Sequence, residues 1–139
     1  MGSRERFEEF YRLNKGFSAF YGALAGLLDL SGSEFAVFYT IKAYGEGCAQ
    51  KDVCEYCMIS KQTVSSGIEG MVRKKLVTLK PGKGRLQEIY LTAKGRKIMD
   101  EKLSLVENAE NKAYGKLSKT EQEQLNDLME KFLNALHGN

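Results

Sequence analysis

Residues 50–75, QKDVCEYCMISKQTVSSGIEGMVRKK, decide how this chain can fold. Apolar side chains recur there in steps of three and four, the spacing of one helix face, and the spacing breaks once, near Ile59. Ser60 follows the break, and serine is a favoured residue for capping the N-terminus of a helix. The stretch therefore predicts two short helices joined by a tight turn.

The second of these helices opens with small hydrogen-bonding side chains. They belong to Ser60, Lys61, Gln62, Thr63, Ser65 and Ser66. Free N–H groups at a helix start and short donors suit phosphates and base edges, and Gln62 can bond adenine through two hydrogen bonds. The pattern is that of a helix-turn-helix with its recognition helix; the plainer alternative is a solvated helix face.

A β-hairpin is predicted directly after the second helix, with strands at 76–80 and 86–91. Residues 81–85, PGKGR, form a loop signal. The apolar positions able to face one side are Val77, Leu79, Ile89 and Leu91. The basic residues at or near the tip are Lys80, Lys83 and Arg85. A basic hairpin behind a recognition helix is a wing, placed to reach a neighbouring groove or backbone.

Further helices are predicted on both sides of this centre. Residues 4–30 form one long helix with a broad aromatic and aliphatic stripe. Ser31 and Glu34 fit a capping box that starts a second helix, whose expected buried face is Phe35, Val37, Phe38, Ile41 and Tyr44. Cys48 and Ala49 form a connector or a strand stub.

Two helices complete the chain at its C-terminal end. Thr92 caps a helix that runs to about Tyr114, and Ser118 with Glu121 fits a capping box that starts the last helix. The apolar stripe of the last helix is Leu125, Leu128, Met129, Phe132, Leu133 and Leu136. The first and last stripes exceed what a small winged domain can cover, so mutual packing in a twofold dimer is expected.

The distribution of charge supports a phosphate-binding centre. The whole chain has a net charge of +3, but residues 47–98 carry 11 basic and 4 acidic side chains, a net +7. Residues 1–46 carry a net −1 and residues 99–139 a net −3. Positive charge is thus concentrated on the segment that contains the helix-turn-helix pattern, as expected of a face that binds nucleic acid. A lysine-rich solvated surface is the alternative.

The cysteines and the single histidine do not favour a metal site or acid–base catalysis. Cys54 and Cys57 form half of a zinc or redox motif with Cys48 nearby, but the only histidine is His137. Buried structural thiols are the favoured interpretation, and a redox or metal sensor is the alternative. No catalytic constellation is apparent, and no metal or cofactor is expected. A charged N-terminus and the lack of a long apolar run predict a cytoplasmic protein with no membrane partner.

Three stretches resemble the MarR/SlyA family of transcriptional regulators. Residues 30–38, LSGSEFAVF, are similar to the family's L-T-x-x-Q-F-x-V-L. Residues 59–65, ISKQTVS, are close to its L-S-K-x-T-V-S, and residues 89–95, IYLTAKG, to its V-x-L-T-x-K-G. Their order and spacing match over essentially the whole chain.

The resemblance implies a mainly α fold with a small β-hairpin wing, a winged helix-turn-helix with N- and C-terminal dimerisation helices. Residues 1–139 would be a single MarR-like domain, with the DNA-binding part at 31–99 and the dimerisation helices at 1–30 and 100–139. It implies a homodimer that binds a pseudo-palindromic operator in double-stranded DNA, acting as a repressor. The implied DNA contacts are Ser60, Lys61, Gln62, Thr63, Ser65, Ser66 and Arg85. Lys83 is added to these predicted contacts because it is a basic residue near the wing tip.

The sequence departs from the family's pattern in three places. Lys83 replaces an acid that usually precedes the wing arginine, and Met58 occupies a turn position that usually holds Gly or Asn. Gly67 and Gly70 are expected to interrupt the recognition helix, each at a cost of about 1 kcal/mol.

An effector site is a further expectation. Tyr11, Phe17 and Tyr21 beside Phe38 could line a pocket for an aromatic acid-like molecule that releases the DNA, the alternative being plain core. A second hypothesis for the chain is a ligand- or thiol-sensing interaction protein with weak or lost DNA binding.

Overall fold

The computed structural model describes residues 1–139 as a mainly helical chain with a small antiparallel sheet. The elements in chain order are α1 (Ser3–Leu27), α2 (Gly32–Tyr44), β1 (Cys48–Ala49), α3 (Gln50–Cys57), α4 (Lys61–Arg73), β2 (Val77–Pro81), β3 (Gln87–Leu91), α5 (Ala93–Ile98), a π-helical turn (Met99–Leu103), α6 (Ser104–Tyr114) and α7 (Lys119–Leu136). The sheet has the order β1-β3-β2. The predicted fold class is confirmed.

The chain divides into two compact units, residues 1–102 and residues 103–139. In the first, α2, α3 and α4 surround a core that the sheet closes on one side. The core side chains from these elements are Phe35, Val37, Phe38, Ile41, Val53, Val64, Ile68, Met71, Leu76, Val77 and Ile89. Tyr44 was expected among them, but it is 53% exposed. It is the last residue of α2, and its ring lies against the ring of Tyr56, with centroids 5.3 Å apart.

Local capping signals give the helix boundaries. Ser31 accepts a hydrogen bond from the backbone N–H of Glu34, and the Glu34 carboxylate accepts one from the backbone N–H of Ser31, so the predicted capping box is present. Thr92 caps α5 through the N–H of Gly95. The first helix ends earlier than predicted, at Leu27, because Asp29 adopts a left-handed conformation with φ 57° and turns the chain.

The second unit contains α6 and α7. Ser118 and Glu121 form the predicted capping box at the start of α7. No residue of α7 is buried, and its apolar stripe is between 38% and 69% exposed at Leu125, Leu128, Met129, Phe132, Leu133 and Leu136. The apolar face of α1 is similar: Leu13, Phe17 and Leu27 are 60%, 67% and 80% exposed.

No single helix in the structure is long and apolar enough to cross a membrane. Helices α1 and α2 reach the necessary composition only as a pair, and that pair is bent by 93°.

Candidate nucleic-acid interface

The turn between α3 and α4 is built around two residues. Met58 has φ 53°, a left-handed conformation that L-residues other than Asn and Gly seldom adopt, and its side chain is 82% exposed. Ser60 then caps α4: its hydroxyl oxygen accepts a hydrogen bond of 3.2 Å from the N–H of Thr63 and donates one of 2.8 Å to the Thr63 hydroxyl. The predicted helix-turn-helix is therefore present, with α4 as its second helix.

Helix α4 has a buried face and an exposed polar start. Its buried positions are Val64, Gly67, Ile68, Gly70 and Met71. Its first turns are exposed at Ser60, Lys61, Gln62, Thr63 and Ser66, and Ser65 is half-buried. The side chains predicted to contact DNA thus lie on the solvent side of one helix end, where the free backbone N–H groups also point.

The wing is a regular hairpin. Strands β2 and β3 pair with Val77 opposite Leu91 and Leu79 opposite Ile89, so the four apolar positions share a face as predicted. A hydrogen bond of 2.8 Å from the N–H of Gly82 to the carbonyl of Leu86 closes the loop. Lys83 and Arg85 are both exposed in this loop.

A cleft of about 870 Å³ lies between α3, α4 and the wing. Of the predicted contacts it brings together Lys61, Ser65 and Arg85, while the others lie outside its lining. Gln50 and Lys51 also line it, and neither is among the contacts predicted from the sequence. Their signal was their place at the start of α3, whose orientation beside α4 depends on the tertiary structure.

The charges in this cleft are mixed. Lys51, Lys61 and Arg85 face the same space as Glu55 and Glu69. The Lys51 ammonium lies 3.8 Å from the Glu55 carboxylate, and both side chains are well exposed, so this pair contributes little to stability.

The base of the wing has its own polar network. The guanidinium of Arg96 and the backbone N–H of Leu91 both donate to the carboxylate of Glu46, and these bonds lower the pKa of Glu46. The Lys80 ammonium lies 4.5 Å from the ring centroid of Tyr90. The Tyr90 hydroxyl donates to Glu88 over 3.0 Å, a bond that raises the pKa of Tyr90. Lys80 is thus held over the strands.

The glycines of α4 do not interrupt the helix, contrary to the expectation from propensity. The helix runs unbroken from Lys61 to Arg73. A Cβ atom on residue 67 would lie 2.8 Å from the backbone oxygen of Ser33, and one on residue 70 would collide with the carboxylate of Glu34. Both glycines are therefore needed for the close approach of α4 to the start of α2, and that packing overrides their low propensity.

The three cysteines lie in different surroundings. Cys48 is buried in β1, and burial followed by the charge of Asp52 raises its pKa to about 11. The Cys57 thiol lies 3.4 Å from the Thr40 hydroxyl, and Cys54 lines the cleft. No group of three or more His, Cys, Asp or Glu side chains has the geometry to hold a metal ion.

Of the four residues expected around an effector, three lie on α1 and Phe38 lies on α2. Phe38 is fully buried, whereas Tyr11 and Phe17 are 48% and 67% exposed. Tyr21 packs edge-on against Tyr39, with ring centroids 6.3 Å apart.

The comparisons with known proteins agree with this geometry. A model of the MarR family matches residues 28–85, which span α2 to the wing tip. No curated protein matches the chain in sequence.

Solved structures match over nearly the whole chain. The structure of NMB1585, a MarR family regulator from Neisseria meningitidis, aligns with a TM-score of 0.81 and 21% identity over 99% of this chain and 96% of that one. A MepR–DNA complex from S. aureus aligns with a TM-score of 0.74 and 22% identity, over 93% of this chain and 96% of that one.

A third structure describes regulation of DNA binding by 6-hydroxynicotinic acid in BpsR of Bordetella bronchiseptica. It aligns with a TM-score of 0.66 and 22% identity, over 89% of this chain and 98% of that one. At these identities the structural likeness establishes the fold. A MarR family model therefore matches residues 28–85, and the complete chain has the winged-helix fold of these solved structures.

Proposed function

We propose that the protein is a transcriptional regulator, acting as a repressor, that binds double-stranded DNA through α4 and the wing. The main support is the exposed face of α4. This helix begins with a serine cap, exposes Lys61, Gln62 and Ser66, and lies on the segment of net charge +7. Exposed N–H groups and donors at a helix start match phosphates and base edges. The MepR structure that shares this fold is a DNA complex.

The DNA contacts divide into two groups in this proposal. Ser60, Lys61, Gln62, Thr63, Ser65 and Ser66 enter a major groove, where Gln62 reads a base and the others fix the register. Lys83 and Arg85 at the wing tip reach the neighbouring groove or its backbone. Arg85 borders the same cleft as Lys61 and Ser65, which supports their acting on one duplex.

A homodimer is part of the proposal. The apolar stripes of α1 and α7 are exposed to a degree that is unusual for a monomer in water. In the proposal these stripes are buried against the same helices of a second copy related by a twofold axis, and the dimer presents two copies of α4 to one duplex. A pseudo-palindromic operator is the corresponding DNA, with its half-sites about one helical turn apart.

The test is selection of duplexes from a random pool, followed by titration of the selected duplex over a range of salt concentrations. We expect a palindrome and an affinity that falls steeply with salt, since phosphate neutralisation releases counterions. No binding to any duplex at low salt would refute the function, and a monomer in solution would refute the palindrome.

A small aromatic acid is the proposed class of effector that releases the DNA. The support is the aromatic surface of α1, with Tyr11 and Phe17 exposed, and the regulation of BpsR by 6-hydroxynicotinic acid. The measurement is the dissociation constant of the selected duplex with and without aromatic carboxylic acids. If none of them changes the constant or the melting temperature, Tyr11, Phe17, Tyr21 and Phe38 are packing residues only.

A further inference from the structure

A single side chain joins the end of α4 to the corner between α1 and α2. The ammonium of Lys74 donates one hydrogen bond of 2.8 Å to the backbone carbonyl of Asp29 and one of 2.8 Å to the carboxylate of Glu34. These partners lie 45 and 40 residues away in sequence. The contact therefore connects the recognition helix with the end of one helix and the start of another.

The backbone is well defined at both ends of this connection. Asp29 has φ 57° and sits in the paired hydrogen bonds of a Schellman cap that ends α1. Lys75, directly after Lys74, has φ 61° and sits in the same kind of cap at the end of α4. The backbone on both sides of the contact is thus defined by local structure, and the Lys74 bonds connect the two helix ends.

Glu34 is buried and has a second hydrogen-bond donor besides Lys74. Its side chain is 6% exposed, and its carboxylate also accepts a bond of 2.8 Å from the N–H of Ser31. Burial raises its pKa, but the hydrogen bonds from Lys74 and Ser31 outweigh burial and hold the pKa below its ordinary value. A buried carboxylate kept ionised in this way depends on its cation.

The contact is also tight in the steric sense. Gly70 approaches the Glu34 carboxyl so closely that a Cβ atom would collide with it, and Gly67 approaches the Ser33 backbone in the same way. Two glycines and one ion pair therefore seat α4 on the N-terminal turn of α2, at the corner where α1 ends.

We propose that Lys74 and Glu34 are positioning residues for DNA binding, which hold the recognition helix at a fixed offset from α1. The inference rests on the proposed function, in which the exposed face of α1 takes part in the dimer. In such a dimer the offset between α1 and α4 sets the distance between the two recognition helices. Without the ion pair each helix still fits a major groove, but the distance between the two is less sharply defined.

The experiment measures discrimination between half-site spacings. The duplex selected by the unaltered protein is compared with duplexes whose centre is longer or shorter by one base pair. The unaltered protein should bind the selected spacing at least about tenfold more tightly, and Lys74→Gln should reduce that ratio to about threefold or less, since half-site spacing mirrors the separation of the helices. Lys74→Arg should keep the ratio, because a guanidinium can also donate to both acceptors.

Arg73→Gln is the matched control. It removes an exposed cation from the adjacent position of the same helix turn. It should leave the spacing ratio unchanged, even if the lost charge weakens binding to every duplex. Titrations are made at a temperature at which circular dichroism shows each variant to be folded, so that loss of folded protein does not enter the ratio.

Two outcomes would overturn the inference and leave the proposed function intact. One is a Lys74→Gln protein that discriminates spacing as the unaltered protein does. The other is uniform weakening on all spacings with a salt dependence reduced by about one phosphate contact, which would make Lys74 a DNA ligand. If the unaltered protein binds DNA but selects no palindrome, the proposed dimer on a palindromic operator fails and the inference fails with it, whereas the proposed DNA binding stands.

Should Lys74→Gln not fold, Glu34→Gln replaces it with the same expectation. The glutamine amide oxygen can still accept the bond from the N–H of Ser31, so the cap of α2 is kept while the charge that holds Lys74 is removed. An unchanged spacing ratio in that variant would overturn the inference equally.

Discussion

The side-chain amide of Gln50 donates a hydrogen bond of 3.0 Å to the backbone carbonyl of Lys61, so the first residue of α3 holds the first residue of α4. Both residues line the cleft beside the wing. The bond joins two helices of the interface at their N-termini, through a side chain and not through backbone hydrogen bonds.

Gln50→Met removes this donor while keeping the length of the side chain. Because water can replace the amide at the exposed carbonyl, the free energy of unfolding should fall by only about 0.5 kcal/mol. Urea denaturation at one fixed protein concentration measures the change. Lys51→Met is the control, since its weak exposed ion pair should be worth nothing measurable; equal losses in the two variants would contradict a role for the Gln50 bond.

Ser60→Asp should separate stability from DNA binding. Aspartate caps a helix as well as serine does, so the melting temperature should be retained, whereas Ser60→Ala should cost about 1 kcal/mol. A carboxylate at a helix start that faces phosphates should weaken DNA binding at low salt.

Ser118→Asp is the control for that prediction, because Ser118 caps α7 through the N–H of Glu121. It should alter neither the melting temperature nor DNA affinity. Unimpaired DNA binding by Ser60→Asp would remove the start of α4 from the interface.

Gly67→Ala should destabilise the protein although alanine favours helices. The added methyl group would lie 2.8 Å from the Ser33 carbonyl oxygen, and relieving such an overlap costs about 1–3 kcal/mol. Gly16→Ala in α1 is the control, since nothing lies within 4 Å of the added atom. Gly16→Ala should be neutral or stabilising by up to about 1 kcal/mol. Thermal unfolding of both variants checks the opposite signs.

Arg85→Ala and Lys80→Ala should differ although both remove a cation from the wing. Arg85 is exposed at the tip, so its loss should weaken binding and reduce the salt slope by about one contact. Lys80 is held over the Tyr90 ring at 4.5 Å, so its loss should leave the slope nearly unchanged. Binding isotherms at several salt concentrations decide the matter; equal slopes for the two variants would exclude a special role for Arg85.

Cys48 should be the least reactive of the three thiols. With its pKa raised to about 11 by burial and by Asp52, only about one thiol in a thousand is ionised at pH 8, and the thiolate is the reactive form. Alkylation with iodoacetamide followed by mass spectrometry should modify Cys54 and Cys57 first. Modification of Cys48 at the same rate would show that β1 opens readily.

The same pKa predicts a loss of stability in alkali. The folded state keeps the Cys48 proton to higher pH than the unfolded state, whose thiol has its ordinary pKa of 9.0. This contribution is therefore present below pH 9 and is lost as the pH rises through about 11. Cys48→Ala should flatten the decline over that range, as measured by urea denaturation at each pH.

The local structure of the chain follows from its residues. The caps at Ser31, Ser60, Thr92 and Ser118, the turn after α3 and the alternation of the wing all lie where the residues predicted them, because such features depend on contacts within about four residues or across one hairpin. The MarR resemblance is confirmed for residues 28–85. Its motifs could be recognised in the sequence because they combine helix caps with core positions.

The relations between elements could not be predicted from the residues, because they depend on long-range packing. Helix propensity predicted that Gly67 and Gly70 interrupt α4, whereas both glycines allow the close packing of α4 on α2. Tyr44 shares the helical spacing of buried residues but lies at an exposed helix end. The Lys74 pair with Glu34 and the cleft beside Arg85 join residues tens of positions apart. Periodicity states which face of a helix is apolar, but what that face meets depends on how distant segments pack.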